Sequence, residues 1–161
     1  MSTHMLTLMK AVSESTGDVC EVGAGFYSTA LLHWLCRDRK LFTYEGDPEY
    51  YHYAWKFRTH SHRVRKTEDF SDIDYDKHWG MVFIDHTPDR GKNPHKRGDD
   101  AIKFKDVDLL VMHDTEKAEE YGYDKVFPLF KYRYDWKECT PWASVVSNTV
   151  DVTKWNTNSP S

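Results

Sequence analysis

The sequence is poor in cysteine and lacks any long apolar run. Its three cysteines, Cys20, Cys36 and Cys139, are odd in number and far apart, which excludes a disulfide framework and a cysteine-based metal motif. This usage favours a reducing, cytoplasmic setting. No apolar stretch approaches the roughly 20 residues of a membrane-spanning helix, and residues 1–10 lack the pattern of a signal peptide. We therefore predict a cytoplasmic protein without a membrane segment.

Basic residues are not in excess, and repeats, low-complexity tracts and linkers are lacking. The 22 Lys and Arg against 26 Asp and Glu give a formal net charge of −4, which argues against a general nucleic-acid binder. A chain of 161 residues suits one domain. We predict a single domain over 1–161, with a leading helical segment at 1–16 and a frayed tail at 153–161.

Short β runs alternate with helical runs along the chain, and aromatic residues make up 15% of it. The predicted strands are Asp18–Val22, Lys40–Glu45, His62–Thr67, Gly80–Ile84 and Val107–Met112. The predicted helices are Met5–Glu14, Phe26–Arg37, a helix that begins at Asp47-Pro48, Asp99–Lys105 and Thr115–Phe130, the last of them loosened at Gly122 and Pro128. Two alternating segments, Tyr132–Cys139 and Trp142–Val152, are expected to form a closing hairpin. This order predicts an α/β fold: a doubly wound, mostly parallel sheet with a C-terminal antiparallel hairpin.

Two of the predicted helices carry many apolar side chains. The helix after the first strand shares one face among Phe26, Ala30, Leu31, Trp34 and Leu35. We expect that face to pack on the sheet. Asp47 is a good N-cap and Pro48 suits the first helical position of the next helix. Its aromatic residues are Tyr50, Tyr51, Tyr53, Trp55 and Phe57, which we expect in the helix core or on the face of a homodimer.

The turn after the first strand contains two glycines, Gly23 and Gly25, followed by Ser28 and Thr29. Glycines there let the backbone bend sharply and approach a ligand, and the start of the next helix offers free N–H groups. Glu45, at the end of the second strand, is placed to accept both hydroxyls of a ribose. NAD also fits this pattern, but Ser28 replaces the third glycine of its fingerprint.

The segment Glu21–Thr29 resembles motif I of class I S-adenosylmethionine-dependent methyltransferases, and Tyr44–Asp47 resembles their motif II. This resemblance implies a Rossmann-like fold and S-adenosylmethionine as the cofactor. It puts Gly23 and Gly25 under the cofactor and turns Glu21 toward the methionine amino group. Glu45, beside Gly46, would hold the ribose, and Ser28 and Thr29 the carboxylate. Glu68, Asp69 and Phe70 fall where the family binds adenine, although Glu68 and Asp69 also suit a solvated turn.

Acidic and histidine side chains end the next two strands: Asp85 after one, and His113-Asp114 after the other. This pairing resembles a group of small-molecule O-methyltransferases, which implies methyl transfer to an oxygen or nitrogen of a small acceptor. Asp85, His113 and Asp114 are the candidate catalytic residues, with Asp85 also near the cofactor. The resemblance implies Mg²⁺ on Asp85 and Asp114, with Glu116 the nearest third acidic residue. His113 also suits a general base or a packed core position.

The stretch Asp89–Gly98 is basic and long for its place after the fourth strand. Its cations, Arg90, Lys92, Lys96 and Arg97, suit an anionic acceptor, although a solvated loop is the commoner fate of such a charge run. Two other functions stay open: a binding module that holds S-adenosylmethionine without catalysis, and an NAD-dependent oxidoreductase on the same fold.

Overall fold

The computed structural model describes residues 4–87 and 92–157, which contain one seven-stranded sheet. Its strands are β1 Val19–Val22, β2 Leu41–Glu45, β3 His62–Lys66, β4 Trp79–Ile84, β5 Val107–His113, β6 Tyr132–Trp136 and β7 Ala143–Ser147. The α-helices are α1 Met5–Ser13, α2 Ser28–Leu35, α3 Pro48–Trp55, α4 Lys96–Ala101 and α5 Ala118–Tyr121. Short 3₁₀ segments cover Thr115–Lys117, Tyr123–Lys125, Phe127–Leu129 and Val152–Thr157.

The strands lie in the order β3-β2-β1-β4-β5-β7-β6, with the first five parallel and β7 antiparallel to both neighbours. This confirms the predicted doubly wound sheet and its closing hairpin. The order reverses between β1 and β4, where open α/β sheets bind their ligands. Val22 lies level with Tyr44 and with Ile84, so the residues that follow β1, β2 and β4 meet at one edge.

Both faces of the sheet are buried because alternate strand residues pack against separate layers. Cys20, Val22, Leu110 and Met112 belong to a core that includes Phe104 and Tyr123. Their neighbours Val19, Phe83, Leu109 and Val111 belong to a second core, which α1 and α2 cover with Leu8, Ala11 and Leu32. The continuous apolar runs of β4 and β5 therefore follow from burial on two sides.

The predicted inner face of the second helix is correct only in part, since Leu31 and Leu35 pack against the second core but Phe26 and Trp34 are exposed. Helix α2 begins at Ser28, two residues later than expected, and its buried residues are Ser28, Thr29 and Leu32. Phe26 and Trp34 are 48% and 65% exposed. Thr29 turns inward because its hydroxyl bonds a buried carboxylate of β1, and this polar contact rotates the apolar face away from the one that hydrophobicity alone selects.

The predicted helix over Thr115–Phe130 breaks at Gly122 and near Pro128 as expected, but it is shorter than predicted, because only Ala118–Tyr121 is α-helical there. Gly122 ends this turn with a φ of 73°, and 3₁₀ segments flank it. A side chain on Gly98 would lie 2.2 Å from the carbonyl oxygen of Gly122, so this segment lies directly against α4. Helix α4 itself starts at Lys96, earlier than the predicted Asp99.

The C-terminal segment is ordered further than expected. Instead of fraying from Thr153, the chain forms the 3₁₀ segment Val152–Thr157. Val152 and Trp155 are buried in the second core, and the ring of Trp155 packs against Tyr134 of β6. Each of the five parallel strands differs from its predicted range by one residue at one end, whereas β6 and β7 end three and five residues earlier than predicted. None of the helices within the described ranges has the length and apolarity needed to cross a membrane.

Leu109 and Leu129 form a matched pair for testing the central position of β5. Leu109 has no exposed surface, whereas Leu129 is 54% exposed. We expect Leu109→Ala to lower the free energy of unfolding by about 2–5 kcal/mol, since it removes buried methyl groups and leaves a cavity. Leu129→Ala should change it by less than about 0.5 kcal/mol. Urea unfolding measures both, and equal losses would contradict this assignment of the core.

Candidate functional site

A cavity of about 1100 Å³ opens at the carboxyl edge of the sheet, where the strand order reverses. Its walls come from the glycine turn after β1, the segment after β2, the segment after β3, and the ends of β4 and α4. Seven of the predicted site residues line it: Gly25, Ser28, Glu45, Gly46, Glu68, Phe70 and Asp85. Ligand cavities of folded proteins reach this size.

The glycine turn is fixed by a close approach of two backbones. Gly23 has a φ of 93°, and a side chain there would lie 2.4 Å from the backbone of His86, just after β4. Gly23 therefore shapes the turn without lining the cavity. At Gly25 a side chain would lie 2.7 Å from the hydroxyl of Ser28. Both positions need glycine because no space is left for a Cβ atom.

The Glu45 carboxylate closes the cavity from the β2 side. Oε2 accepts a hydrogen bond of 2.6 Å from the N–H of Ala24 in the glycine turn, and Oε1 accepts one of 2.6 Å from the N–H of Asp47. Glu45 is buried, and burial raises its pKa although these N–H groups oppose the shift. The carboxylate thus ties β2 to the glycine turn and presents its remaining lone pairs to the cavity.

Glu21 does not line the cavity, contrary to the expectation that it faces the cofactor's amino group. It is completely buried, on the sheet face covered by α2, because strand residues alternate and its neighbours Cys20 and Val22 face the other way. The hydroxyls of Thr29 and Thr43 donate to it at 3.0 and 2.7 Å. Thr29 in turn accepts the N–H of Gly25 at 3.1 Å, so Glu21 supports the turn from beneath.

Ser28 is the first residue of α2 and one of the cavity's walls. Its side chain is 1% exposed, and Oγ lies near enough to the buried Glu21 to lower the pKa of that carboxyl, although no hydrogen bond of ideal geometry joins it to a residue of 4–87 or 92–157. A buried hydroxyl normally has a partner. Because it lies at a helix N-terminus, where N–H groups also lack intrahelical acceptors, this hydroxyl is suited to a bound anionic group.

The segment after β3 forms the opposite wall. Glu68 and Phe70 line the cavity, and Phe70 is buried with its ring edge against His86. Asp69, between them, lies outside the lining and accepts hydrogen bonds from Ser71. Asp69 therefore belongs to a local turn, which is the alternative role that the sequence analysis leaves open.

Asp85 is the centre of a charged cluster at the end of β4. Its Oδ1 lies 3.1 Å from Nδ1 of His113 and 3.3 Å from Nη2 of Arg97. Burial favours the protonated acid, but His113 and Arg97 outweigh it and lower the pKa of Asp85. Burial likewise opposes a charge on His113, yet its bond to Asp85 raises the histidine pKa. The two groups therefore favour an ionised pair.

Arg97 occupies the space between the two carboxylates that were expected to bind Mg²⁺. Its guanidinium lies 2.8 Å from Oδ2 of Asp114 as well as contacting Asp85, and its Nε donates to the carbonyl oxygen of His86 at 2.5 Å. The side chain is buried, so the negative charge is already compensated by a fixed cation. The residues present do not fit the expected Mg²⁺ site, and that expectation is not supported.

Several residues of the site were not found from the sequence. His4 lines the cavity from the segment before α1, and its ring lies 4.4 Å from that of His113. Phe26, Tyr27 and Tyr50 line the mouth, where packing roles had been predicted for Phe26 and Tyr50. The position of Phe26 next to the glycine turn was a usable signal. Nothing in the sequence indicates His4, because only the fold brings α1 to this edge. Arg90 lies outside the described residues.

Comparison with known proteins identifies the fold alone. The sequence matches no protein-family model and no curated relative. A putative caffeoyl-CoA O-methyltransferase from Staphylococcus aureus is similar in structure, with a TM-score of 0.60 and 12% identity over 91% of this chain and 92% of that one. The N-methyltransferase NodS from Bradyrhizobium japonicum WM9 gives 0.61 and 10% over 92% and 94%.

A third similar structure is that of the 23S rRNA methyltransferase ErmE, with a TM-score of 0.53 and 14% identity over 88% of this chain and 67% of that one. The three named proteins differ in acceptor. The fold of this chain is therefore that of Rossmann-like methyltransferases, with the seven-stranded sheet and its antiparallel end, and acceptor identity does not follow from it.

The buried Glu21 predicts a specific dependence of stability on pH. Burial raises its pKa from 4.5 to about 7. The folded protein thus holds this proton more tightly than the unfolded chain, so the contribution is complete below about pH 4.5 and is lost as pH rises through about 7. We expect Glu21→Gln to flatten the decline of unfolding free energy across this range, measured by urea unfolding at several pH values. The exposed Glu14→Gln is the control, and unchanged slopes in Glu21→Gln would contradict the assignment.

Proposed function

We propose that the chain binds S-adenosylmethionine in this cavity and transfers its methyl group to an acceptor held beside Asp85. The observation that carries the proposal is the convergence of the fixed Glu45 carboxylate and the Ser28 hydroxyl on one cavity beside the glycine turn. The similarity to methyltransferase structures supports this choice among the ligands of Rossmann-like folds.

Glu45 is suited to a ribose because its geometry is set before any ligand arrives. Each oxygen accepts one backbone N–H at 2.6 Å, and a carboxylate offers about four lone-pair sites. Two sites therefore stay available for two adjacent hydroxyls. The neighbouring wall of Glu68 and Phe70 would then take the base, with the amino group on a carboxylate and the ring against an aromatic face.

Ser28 would hold the carboxylate of the methionine end. Its hydroxyl could donate a hydrogen bond to that carboxylate, and the start of α2 favours a negative charge. Glu21 stays beneath the turn, where Thr29 transmits its support to the N–H of Gly25. The glycine turn is thus held from below while its upper surface faces the ligand.

The bound cofactor supplies an activated methyl group on a sulfonium, so the protein mainly aligns the acceptor with it. Asp85 lines the cavity and is kept ionised by His113 and Arg97. We infer that its carboxylate accepts a hydrogen bond from the acceptor's O–H or N–H group and orients the lone pair. Lys92 also lines the cavity and makes no ion pair within 4–87 and 92–157, so an anionic acceptor is suited to this end.

Isothermal titration with S-adenosylhomocysteine, with NAD in a parallel titration, tests the cofactor. Binding of the nucleoside and not of NAD supports the proposal, whereas NAD binding alone would point to an oxidoreductase. Transfer of labelled methyl from S-adenosylmethionine to pools of small metabolites, and separately to RNA, then tests the reaction. Cofactor binding without any transfer to either pool favours the non-catalytic module.

Glu45 provides the sharpest variant for the cofactor site. We expect Glu45→Ala to weaken S-adenosylhomocysteine binding by about 1–3 kcal/mol, roughly 5- to 150-fold in Kd, because charged hydrogen bonds to the ribose are lost. Glu45→Gln keeps one acceptor oxygen for the backbone, so its affinity should fall between those of the wild type and Glu45→Ala.

The matched control is Glu49→Ala, which removes an exposed carboxylate four residues further on and should leave Kd unchanged. Circular dichroism confirms that each variant is folded before titration. Equal affinities of the wild type and the folded Glu45→Ala variant would remove Glu45 from the cofactor site.

A further inference from the structure

A second set of potential ligands lies at the acceptor end of the cavity, distinct from the expected pair of carboxylates. His4 comes from the segment before α1, Asp85 from the end of β4 and His113 from the end of β5. Each offers one ligand atom, and the three atoms all lie within 4.8 Å of one another. Three remote parts of the chain thus bring two imidazoles and one carboxylate together.

The surroundings hold these groups in place. His4 is buried, with its ring 5.1 Å from Phe83 and edge-on to His113 at 4.4 Å. His113 is mostly buried, and its Nδ1 lies 3.1 Å from Oδ1 of Asp85. The contacts of Asp85 with His113 and Arg97 both use Oδ1, so neither of them occupies Oδ2.

Asp114 lies beside this set, with Oδ1 3.6 Å from Nδ1 of His113, but Arg97 engages its other oxygen. The guanidinium is closer to Asp114, at 2.8 Å, than to Asp85, at 3.3 Å. Asp114 is therefore engaged by a cation, while Asp85 faces the two imidazoles. This arrangement explains why the carboxylate pair does not fit Mg²⁺ and leaves a nitrogen-rich set with different ligand preferences.

We infer that His4, Asp85 and His113 form a binding site for a divalent transition-metal ion of the zinc class. Imidazole ligands suit Zn²⁺ and its neighbours, whereas Mg²⁺ prefers oxygen ligands alone. Three ligands held by zinc bonds of about 2.0–2.2 Å lie about 3.3–3.8 Å apart, so groups 4.8 Å apart need to close by about 1–1.5 Å. Three protein ligands with open positions are the usual pattern of a catalytic zinc site.

The open positions of such an ion would face the cavity, since His4 and Asp85 both line it. An acceptor hydroxyl bound there would lose its proton more readily, as a Lewis acid lowers the pKa of a coordinated oxygen. This role of the ion in activating the acceptor rests on the proposed methyl transfer, whereas the binding of the ion does not depend on it. The two proposals therefore fail in separate measurements.

The test is isothermal titration of Zn²⁺ alone into the full chain stripped with EDTA, without cofactor or acceptor. We expect one equivalent to bind, and at least about tenfold weaker binding in each of His4→Asn, Asp85→Asn and His113→Asn, since each removes one of three ligands. Co²⁺ in place of Zn²⁺ gives a visible absorption spectrum that should change in the same variants.

Two control variants show whether the ion binds at these three residues or elsewhere on the chain. His52→Asn removes an exposed histidine of α3 and should leave the affinity unchanged. Asp114→Asn should also retain binding, because Arg97 and not the ion holds that carboxylate. Loss of binding in Asp114→Asn with full binding in His4→Asn would overturn the site in favour of the carboxylate pair.

Absence of binding to the wild type, or undiminished binding in the folded His4→Asn and His113→Asn variants, would also overturn the inference. Circular dichroism in EDTA shows which variants are folded, and conservative His4→Gln replaces His4→Asn if the latter unfolds. Titration of S-adenosylhomocysteine in EDTA reports separately on the cofactor site, so failure of the metal site leaves that result intact.

Discussion

At position 23 the backbone of the first strand turns away from the sheet while touching the backbone of the residue after β4. A Cβ atom there would lie 2.4 Å from His86, and this contact sets the distance between β1 and β4 at the edge where strand order reverses. The register of β1 with β2 brings Glu45 to the same level. The cavity, the carboxylate that closes it and the entry of α2 all follow from this one steric constraint.

Two kinds of polar group surround that edge, and they have different tasks. Glu21, Thr29 and Thr43 are buried and satisfied by one another, so they hold the loop in shape. Ser28, Glu45 and Asp85 line the cavity. Arg97 belongs to both groups, because it is buried, neutralises Asp85 and Asp114, and fixes the backbone of His86. A substitution of Glu21, Thr29 or Thr43 would therefore disturb the residues that line the cavity without removing a contact to the ligand itself.

The sheet could be predicted from the sequence because most of its parallel strands are short, largely apolar runs that end in a polar or glycine residue, while the charged strand β3 follows from its place in the alternation of strands and helices. The glycine turn, Glu45 and Asp85 were found for the same reason, since strand ends meet at one edge. The buried faces of the helices were harder to predict. The inward position of Thr29 depends on a hydrogen bond to Glu21, a contact between elements that periodicity does not contain.

The charged cluster could be predicted only in part. Asp85, His113 and Asp114 were visible as strand ends, but their partners were not. Arg97 comes from α4 and His4 from the segment before α1. Because both are distant from the cluster in sequence, their contacts with it could not be predicted. In the segment after β5 the glycine and the proline indicated where the helix loosens, but the hydrophobic spacing did not show that 3₁₀ turns replace most of it.

Beneath the glycine turn, the hydroxyl of Thr43 also lies 2.9 Å from Nε2 of His62, whose Nδ1 lies 3.1 Å from Nδ1 of His33. A threonine has one hydrogen to give, and an ionised Glu21 takes it. His62 must then donate from Nε2 and accept at Nδ1, which obliges His33 to carry its hydrogen on Nδ1. The tautomer of a partly exposed imidazole on α2 is in this way dictated by a carboxylate three hydrogen bonds further in.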